Sequence, residues 1–436
     1  MGIPPLDTFM RILFLNSYQA VHGGAERLLF DTAVELNGLG HKVSVVVAHD
    51  DRRAPNPESW PAQINRYYVP ELMVPVADRY TYNKLRRTPP YRSTLRYLQD
   101  IIDIEEPEVI HVHNFPRIEV LDEIRVNVPI VRTIHSYENL CGNQLKRLPD
   151  DSICTHALGA ECYRQCSIPK TFKATRVRAE NRLMKTQFRR LIAVSSYIKE
   201  VLVSNGFPTE QIRVLNNFTR LTPSSMGVAE EDLVLYVGRI TPEKGLLDLI
   251  RSIALTRSRP GLLVVGKDAV LGRSGFHQQV VQTAAELNVR VEFQDWCSGD
   301  ELRVAYQRAK VVAFSSVWPE PFGLVGIEAM MQAKPVIAFD SGGVRDWLTD
   351  GRTGFLVPHL DHRTFADRID RLVTDDKLRT DMGKEGQRRA LNSFSADAHI
   401  AELLEIYKEV ADEDSAHRPG WRTEVCDAQR GFGLSV

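Results

Sequence analysis

The sequence predicts an α/β protein built from two units, each with a parallel sheet, that face each other across a cleft. Strand-like apolar runs alternate with helix-like amphipathic segments in two successive stretches of the chain. Between them, residues 218–227 are rich in Pro, Ser, Thr and Gly, which interrupts the apolar periodicity. At 436 residues, 43% of them hydrophobic, the chain is long enough to form two separate cores.

The first unit begins with a buried strand at 10–16, followed by a helix at 23–39 and a second strand at 42–47. Its other predicted strands are 109–113, 129–135 and 190–195. Segment 51–95 has little regular pattern and many Pro, Arg and Tyr residues, so we interpret it as loops and short helices near an acceptor site. This unit is predicted to span residues 1–218.

The second unit is predicted to span residues 219–395. Its strands are predicted at 233–237, 262–265, 289–293, 311–314, 335–339 and 354–357. A final amphipathic helix at 396–411 and a polar tail at 412–436 complete the chain. The carboxyl ends of the parallel strands should face the cleft, and residues directly after strands are therefore the candidates for a site.

Composition excludes several classes of protein. A net charge of −1 provides no overall attraction to nucleic acid, and no apolar run approaches the ~20 residues that a membrane-spanning helix needs. We therefore predict a cytoplasmic protein. Six cysteines are too few for a disulfide scaffold. Cys141, Cys154, Cys162 and Cys166 nevertheless cluster, and their spacings leave open a metal site or a buried, reduced clasp.

One stretch of the chain, 170–190, is strongly basic. It contains eight cations, opposed only by Glu180: Lys170, Lys173, Arg176, Arg178, Arg182, Lys185, Arg189 and Arg190. The stretch is interpreted either as a solvated helix face or as a contact for an anionic membrane surface or a phosphate-bearing acceptor.

The most informative motif surrounds two carboxylates, Glu320 and Glu328. They lie on either side of a turn that contains Gly323. The turn follows a predicted strand and leads into a predicted helix that starts near Gly326. The free N–H groups and the dipole of a helix N-terminus favour a phosphate, and carboxylates accept hydrogen bonds from sugar hydroxyls. This combination of groups suits a nucleotide sugar.

A second motif follows the strand at 233–237. Gly238 and Arg239 come directly after it, and Lys244 lies five residues further on. Arginine offers a planar fork to phosphate oxygens and lysine a point charge. The motif therefore predicts a diphosphate site in the second unit.

These motifs resemble the signatures of retaining, nucleotide-sugar-dependent glycosyltransferases of the glycogen-synthase-like group, glycosyltransferase family 4. The resemblance runs from Met10 to about Tyr407, and its most specific parts are the Glu320-x₇-Glu328 pair and the segment from Gly238 to Lys244. It implies the GT-B fold, in which two Rossmann-like domains face each other and a C-terminal helix crosses back to the first domain.

The resemblance also implies roles for individual residues. Arg239 and Lys244 would stabilise the departing diphosphate, Glu320 would hold the sugar hydroxyls, and His135 would line the sugar pocket. The implied donor-binding residues are Gly23, Gly24, Gly238, Trp296, Phe322, Gly323, Leu324, Val325 and Glu328, with Glu328 on the ribose. The chain has Ser136 where the family often has Asp, and Asp295 where it has Gly, which leaves the orientation of His135 and the base of the donor open.

The sequence thus predicts transfer of a hexose from a UDP- or GDP-sugar to a hydroxyl of a glycan or lipid-linked acceptor, without a catalytic metal or other cofactor. The expected setting is cell-surface polysaccharide or glycolipid synthesis. Peripheral contact with the inner face of the cell membrane is expected to run through 170–190, and nucleic acid is not an expected partner. The alternatives are a nucleotide-sugar epimerase of the same fold and a non-catalytic nucleotide-sugar-binding subunit.

Overall fold

The structure is a computed structural model that describes residues 9–18, 20–21, 23–48, 60–69, 88–166, 173–223, 227–268 and 275–417. Two parallel sheets, each with helices packed around it, form its framework. The prediction of two α/β units with parallel sheets is confirmed. Residues 51–59 of the predicted acceptor segment, and residues 70–87 of it, lie outside the described ranges, as do Lys170 and residues 418–436.

Within the described residues, the first sheet has seven strands in the order β3-β2-β1-β4-β5-β6-β7. They are β1 Arg11–Asn16, β2 Lys42–Val47, β3 Asn65–Tyr68, β4 Val109–Val112, β5 Ile130–Ile134, β6 Phe188–Ala193 and β7 Ile212–Val214. The helices of this domain are α1 Gly24–Gly38, α2 Pro89–Glu105, α3 Ala160–Gln165, α4 Lys173–Gln187 and α5 Ser196–Ser204.

In the part of the chain that the structure describes, the second sheet has six strands in the order β10-β9-β8-β11-β12-β13. They are β8 Glu231–Val237, β9 Gly261–Val265, β10 Val291–Gln294, β11 Ala309–Phe314, β12 Val336–Phe339 and β13 Gly354–Val357. The helices that follow β8 are α6 Leu246–Ala254, α7 Phe276–Glu286, α8 Gly299–Arg308, α9 Leu324–Met331, α10 Val344–Trp347, α11 His362–Thr374, α12 Asp376–Ser393 and α13 Ala396–His417.

Two edge strands, β3 and β7, were not predicted. The sequence of β3 is Asn-Arg-Tyr-Tyr, and its residues are exposed or only half-buried. An edge strand of this kind lacks the apolar run by which buried parallel strands are recognised. The long helix α2 also differs from the prediction, because it begins within the segment that we interpreted as irregular.

The last helix, α13, crosses back to the first domain as predicted. Leu403, Tyr407 and Val410 are buried in one cluster with Phe14 of β1 and Leu36 of α1. The hydroxyl of Tyr407 lies 2.6 Å from Nδ1 of His111 on β4 (His111 itself is fully buried). The end of the second unit therefore forms part of the core of the first.

The prediction of a polar tail from residue 412 is wrong for its first residues, because α13 continues to His417. Asp414 accepts a hydrogen bond from Arg189 Nη2 at 2.7 Å, and Glu413 accepts one from Arg190 Nη1 at 3.1 Å. Both arginines belong to β6, so the first domain neutralises the acidic last turns of the helix. This pairing explains why a polar sequence stays helical there.

Candidate functional site

The candidate site lies where loops from the two sheets meet. Each predicted site motif follows a strand: β1, β5, β8, β10 or β11. The Tyr137 hydroxyl donates a hydrogen bond to the Pro319 carbonyl, and Ser195 Oγ donates to the Pro321 carbonyl at 2.6 Å. The segment around Glu320 therefore forms a wall between the domains and is held by hydrogen bonds from the first.

An ion pair between Lys244 and Glu320 forms the centre of the site. Lys244 Nζ donates a hydrogen bond to the Glu320 carboxylate, to which Ser316 Oγ also donates, at 2.7 Å. Glu320 is only 5% exposed. Burial alone would raise its pKa, but the Lys244 charge and the two hydrogen bonds outweigh burial and hold the pKa of the carboxyl below its ordinary value.

The backbone around Lys244 explains how this side chain reaches Glu320. Gly245 has φ +68°, and a Cβ at this position would lie 1.9 Å from the Ser315 carbonyl oxygen. The Ser315 hydroxyl donates to the Lys244 carbonyl at 3.1 Å, and Val317 N donates to the Glu243 carbonyl at 3.0 Å. These contacts hold the loop after β8 directly against the loop after β11.

The turn before α9 also requires a glycine. Gly323 has φ +98°, and a Cβ there would lie 2.5 Å from the ring of Phe314. The turn lets α9 begin at Leu324 with its N-terminus directed into the cleft. The amides of Gly323, Leu324 and Val325 lie at this end, where the peptide dipoles favour an anion.

The N-terminus of α1 meets that of α9 across the cleft. A Cβ on Gly24 would lie 3.3 Å from Cδ1 of Leu324, so the glycine loop at Gly23 and Gly24 contacts the loop of the second domain. Two helix N-termini, one from each domain, thus add positive potential to the same region. The structure brings together the glycines and the α9 residues that the sequence singled out separately.

Glu328 lies on α9 and is partly exposed. Tyr306 of α8 donates a hydrogen bond to Glu328 Oε2 at 3.0 Å. Burial raises the pKa of Glu328, while the Tyr306 hydrogen bond and the charge of Arg27, in the first turn of α1, partly oppose that rise. Within the described ranges no hydrogen bond reaches its other oxygen, Oε1, which leaves that oxygen as an acceptor near two helix N-termini.

Gly238 and Arg239 follow β8, at the edge of the same cleft. Gly238 N donates to the Val265 carbonyl at 3.0 Å, which fixes the turn. The Arg239 side chain is 49% exposed, and its Nη2 lies 3.5 Å from Glu243 Oε1. An arginine held this loosely can turn towards a ligand without breaking a buried ion pair.

His135 stands on the first-domain side. Its Nε2 lies 2.8 Å from Nδ1 of His113, and the two rings stack with centroids 4.9 Å apart. Burial, with smaller contributions from the Arg132 and His399 charges, lowers the pKa of His135 to about 3. The imidazole is therefore neutral at physiological pH and can exchange hydrogen bonds with a hydroxyl group.

The structure does not bring the side chains of two predicted residues, Trp296 and Phe322, to the Lys244–Glu320 ion pair. Trp296 is 48% exposed, and within the described ranges it shares no hydrogen bond or ring contact with the other predicted site residues. The Phe322 ring is 1% exposed and packs against Phe394 at 5.9 Å, and its carbonyl accepts a hydrogen bond from Trp347 Nε1. The phenyl ring therefore belongs to the core.

Four residues of the site had no role predicted from the sequence: Ser316, Tyr306, Arg27 and His113. Ser316 was recognisable as the end of the apolar run before Glu320, and Arg27 as part of the helix start after Gly24. Tyr306 and His113 lie far from their partners in sequence, on a helix and a strand end with no distinctive local pattern. Only the fold could reveal them.

The four clustered cysteines line one small cavity together with His156. Cys141, Cys154 and Cys162 are buried, and all four are free thiols. Among the residues that the structure describes, no three His, Cys, Asp or Glu side chains are placed so that they could hold a metal ion. Within the same ranges, every helix is too short or too polar to cross a bilayer.

Comparison with known proteins shows that the chain is similar to glycosyltransferases. The model described as Glycosyltransferase Family 4 matches residues 22–222, and the model described as Glycosyl transferases group 1 matches residues 223–389. A glycosyltransferase of Methanocaldococcus jannaschii is 26% identical over 334 residues, which cover 71% of this chain and 77% of that protein.

The D-inositol 3-phosphate glycosyltransferase of Salinispora tropica is 35% identical over 189 residues, which cover 42% of this chain but only 39% of that relative's length. The crystal structure of Anabaena HepE in complex with UDP and glucose shares the fold, with a TM-score of 0.67 at 21% identity. That match covers 92% of this chain and 99% of HepE. The predicted two-domain GT-B architecture is thereby confirmed.

Proposed function

This chain belongs to the glycosyltransferases, with a family 4 region followed by a group 1 region, and we propose that it transfers a hexose from a UDP- or GDP-sugar to an acceptor hydroxyl with retention of configuration. The acceptor would be a glycan or a lipid-linked sugar in cell-surface polysaccharide or glycolipid synthesis. The observation that carries the proposal is the Lys244–Glu320 pair beside two helix N-termini from different domains.

The pair supports the proposal because its two members suit the two halves of a nucleotide sugar. An arriving diphosphate competes with Glu320 for the Lys244 ammonium, and sugar hydroxyls can replace the ammonium as donors to the carboxylate. Donor binding would thus exchange one internal ion pair for two ligand contacts. Because Glu320 keeps the Ser316 hydrogen bond, it need not lose all of its partners during the exchange.

The leaving diphosphate would be stabilised by Lys244, by Arg239 and by the amides from Gly323 to Val325. Charge develops on the diphosphate as the glycosidic bond to the sugar breaks, so fixed donors at that position lower the barrier. Glu328 would accept hydrogen bonds from the ribose hydroxyls. None of these residues is proposed as a covalent nucleophile.

The acceptor hydroxyl would attack on the face that the diphosphate leaves, and the departing phosphate would take its proton. His135 fits a neutral role here, because an imidazole with a pKa of about 3 is a poor base but can still hydrogen-bond a sugar hydroxyl. Most of the rate would therefore come from positioning and electrostatic stabilisation.

The first test is a screen of the purified protein with UDP-, GDP-, ADP- and dTDP-sugars, in the presence of EDTA because the proposed reaction uses no metal. Binding and the slow release of nucleoside diphosphate are measured together. One donor should bind and be hydrolysed, and Lys244→Ala and Glu320→Ala should each slow its hydrolysis by about 100-fold. Lys377→Ala is the control, since Lys377 forms an exposed ion pair on α12.

Failure of all these donors to bind, or wild-type hydrolysis by both site variants, would overturn the proposal. Binding without any release of nucleoside diphosphate would instead favour a non-catalytic binding subunit.

A further inference from the structure

A cationic cavity of about 390 Å³ lies in the first domain, apart from the Lys244–Glu320 site. Its walls come from α4, from the segment around Leu158 and from Asn205 at the end of α5. Arg178, Arg182 and Lys185 line it, together with Asn181 and Tyr163, and none of the described residues that line it carries a carboxylate. The cavity therefore presents positive charge and neutral hydrogen-bond donors.

The three cations share one face of α4 because they follow each other at intervals of four and three residues. The acidic residue of this helix, Glu180, is buried, at 4% exposure, away from that face. Lys185 Nζ donates to the Asn205 carbonyl at 3.1 Å and lies 4.7 Å from the ring centroid of Phe207. Lys185 is thus fixed in place at one end of the cavity.

Arg178 and Arg182 are different. Both are exposed, and within the described part of the chain neither guanidinium forms a hydrogen bond or an ion pair. Arg189 and Arg190, further along the same basic stretch, are paired with acidic residues of α13. Like charges four residues apart on a helix repel each other, so two guanidinium groups left facing a cavity suit an external anion.

We propose that this cavity binds a phosphate or diphosphate group of the acceptor substrate. The inference rests on the proposed function, because it assigns the acceptor a phosphate-bearing class. One guanidinium group can donate two parallel hydrogen bonds to the oxygens of a phosphate. Arg178 and Arg182 would each supply such a pair of donors, while Lys185 adds a point charge. A volume near 390 Å³ has room for a diphosphate and part of the group attached to it.

One hydrogen bond links a wall of the cavity to the segment that leaves β5. Asn181, which lines it, donates a hydrogen bond from Nδ2 to the Asn139 carbonyl at 3.0 Å. Asn139 lies four residues after His135, in the segment that leaves β5 and carries Tyr137 to the second domain. An acceptor held by its phosphate on α4 would therefore bind to the domain that faces the donor.

The experiment uses inorganic pyrophosphate as the probe and the full chain with both UDP and GDP added in excess, so that the donor site is occupied whichever base it takes. Calorimetry compares the wild type with Arg178→Gln/Arg182→Gln and with Arg92→Gln/Arg96→Gln. The second double variant is a matched control, because Arg92 and Arg96 are exposed and four residues apart on α2. We expect the dissociation constant to rise at least tenfold in the α4 variant and to stay unchanged in the α2 variant.

Flotation separates two sources of the phosphate. Vesicles containing phosphatidylglycerol are compared with pure phosphatidylcholine vesicles for the same three proteins. Flotation only with phosphatidylglycerol, lost in the α4 variant, would support the proposal with a lipid headgroup as the source. Pyrophosphate binding without flotation would support it with a water-soluble acceptor. If neither pyrophosphate binding nor flotation depends on Arg178 and Arg182, the proposal is overturned.

Donor hydrolysis distinguishes this inference from the proposed function. The α4 variant should hydrolyse the nucleotide sugar at the wild-type rate, since neither arginine contacts the Lys244–Glu320 site. A wild-type protein that binds pyrophosphate through α4 but no nucleotide sugar would overturn the proposed function and leave the anion site supported.

Discussion

Removing the ammonium of Lys244 should cost more stability at pH 7 than at pH 5, because it leaves the buried Glu320 carboxylate without its partner. The perturbation is a double-mutant cycle of Lys244→Ala, Glu320→Ala and the two together. Glu320 is only 5% exposed, so its charge cannot be hydrated by a small movement. Lys244 is 20% exposed in its side chain and can turn its charge towards water when Glu320 is absent.

The size of the effect follows from protonation. A lone Glu320 can escape burial of its charge by binding a proton, which costs about 1.4 kcal/mol for each pH unit above the ordinary pKa of 4.5. That limits the penalty to about 3.5 kcal/mol at pH 7 and to about 0.7 kcal/mol at pH 5. Glu320→Ala should cost about 1 kcal/mol, since the lysine that remains is not trapped.

The sign of the pH dependence differs between the proteins. In the wild type the pKa of Glu320 is lowered, so the pair contributes its full stability above pH 4.5 and loses it as the pH falls through the folded-state pKa. In Lys244→Ala the pKa should be raised, so the variant becomes relatively less stable as the pH rises. The gap between the two proteins should therefore widen from pH 5 to pH 7.

Urea denaturation followed by circular dichroism at both pH values measures the cycle, with Lys377→Ala as a surface control. The double variant should be more stable at pH 7 than Lys244→Ala alone, which gives a coupling of about 2–3 kcal/mol. Equal penalties at the two pH values, or a double variant that costs the sum of its parts, would show that Glu320 is not held as a charge by Lys244.

Three further predictions follow from individual contacts. Gly323→Ala should lower the melting temperature by several degrees more than Gly351→Ala. Both glycines have positive φ, but only at Gly323 would the added Cβ clash with a ring. Equal shifts in melting temperature would contradict this prediction. Tyr306→Phe removes the donor to Glu328 and should weaken nucleotide-sugar binding about fivefold, measured by calorimetry, whereas unchanged affinity would argue that Glu328 does not contact the donor. Burial lowers the pKa of His399 to about 4, so as the pH falls the unfolded chain takes up a proton on this histidine before the folded chain does. The wild type should therefore lose about 2 kcal/mol of stability through His399 between pH 7 and pH 5. His399→Asn should abolish that part of the acid sensitivity, and identical pH profiles of stability for the two proteins would refute the prediction.

The fold could be predicted because its central strands are buried on both faces. Val336–Phe339 is wholly apolar and Lys42–Val47 contains four valines in six residues, and this pattern identifies parallel strands without any long-range information. The edge strand Asn65–Tyr68 has no such pattern, since one side of it meets solvent. The extent of α13 was missed for a related reason, because its last turns are held by arginines of a distant strand.

The candidate site was predictable only where its residues are close in sequence. Glu320, Gly323 and Glu328 share one turn and one helix, so their spacing was enough to predict them as site residues. The partners of these residues come from other elements, as Tyr306 does for Glu328. No local pattern could indicate that the ring of Phe322 turns inwards, because its direction depends on Phe394 at the end of α12.

The position of α13 has a consequence for biosynthesis. The helix supplies Leu403, Tyr407 and Val410 to the core of the first domain, yet a ribosome makes it only after every strand of the second. During translation the matching apolar face around Phe14 and Leu36 must stay uncovered while the whole second domain is synthesised. The N-terminal domain is therefore begun first and finished last, and a nascent chain stalled before residue 396 would expose that face to aggregation or to chaperones.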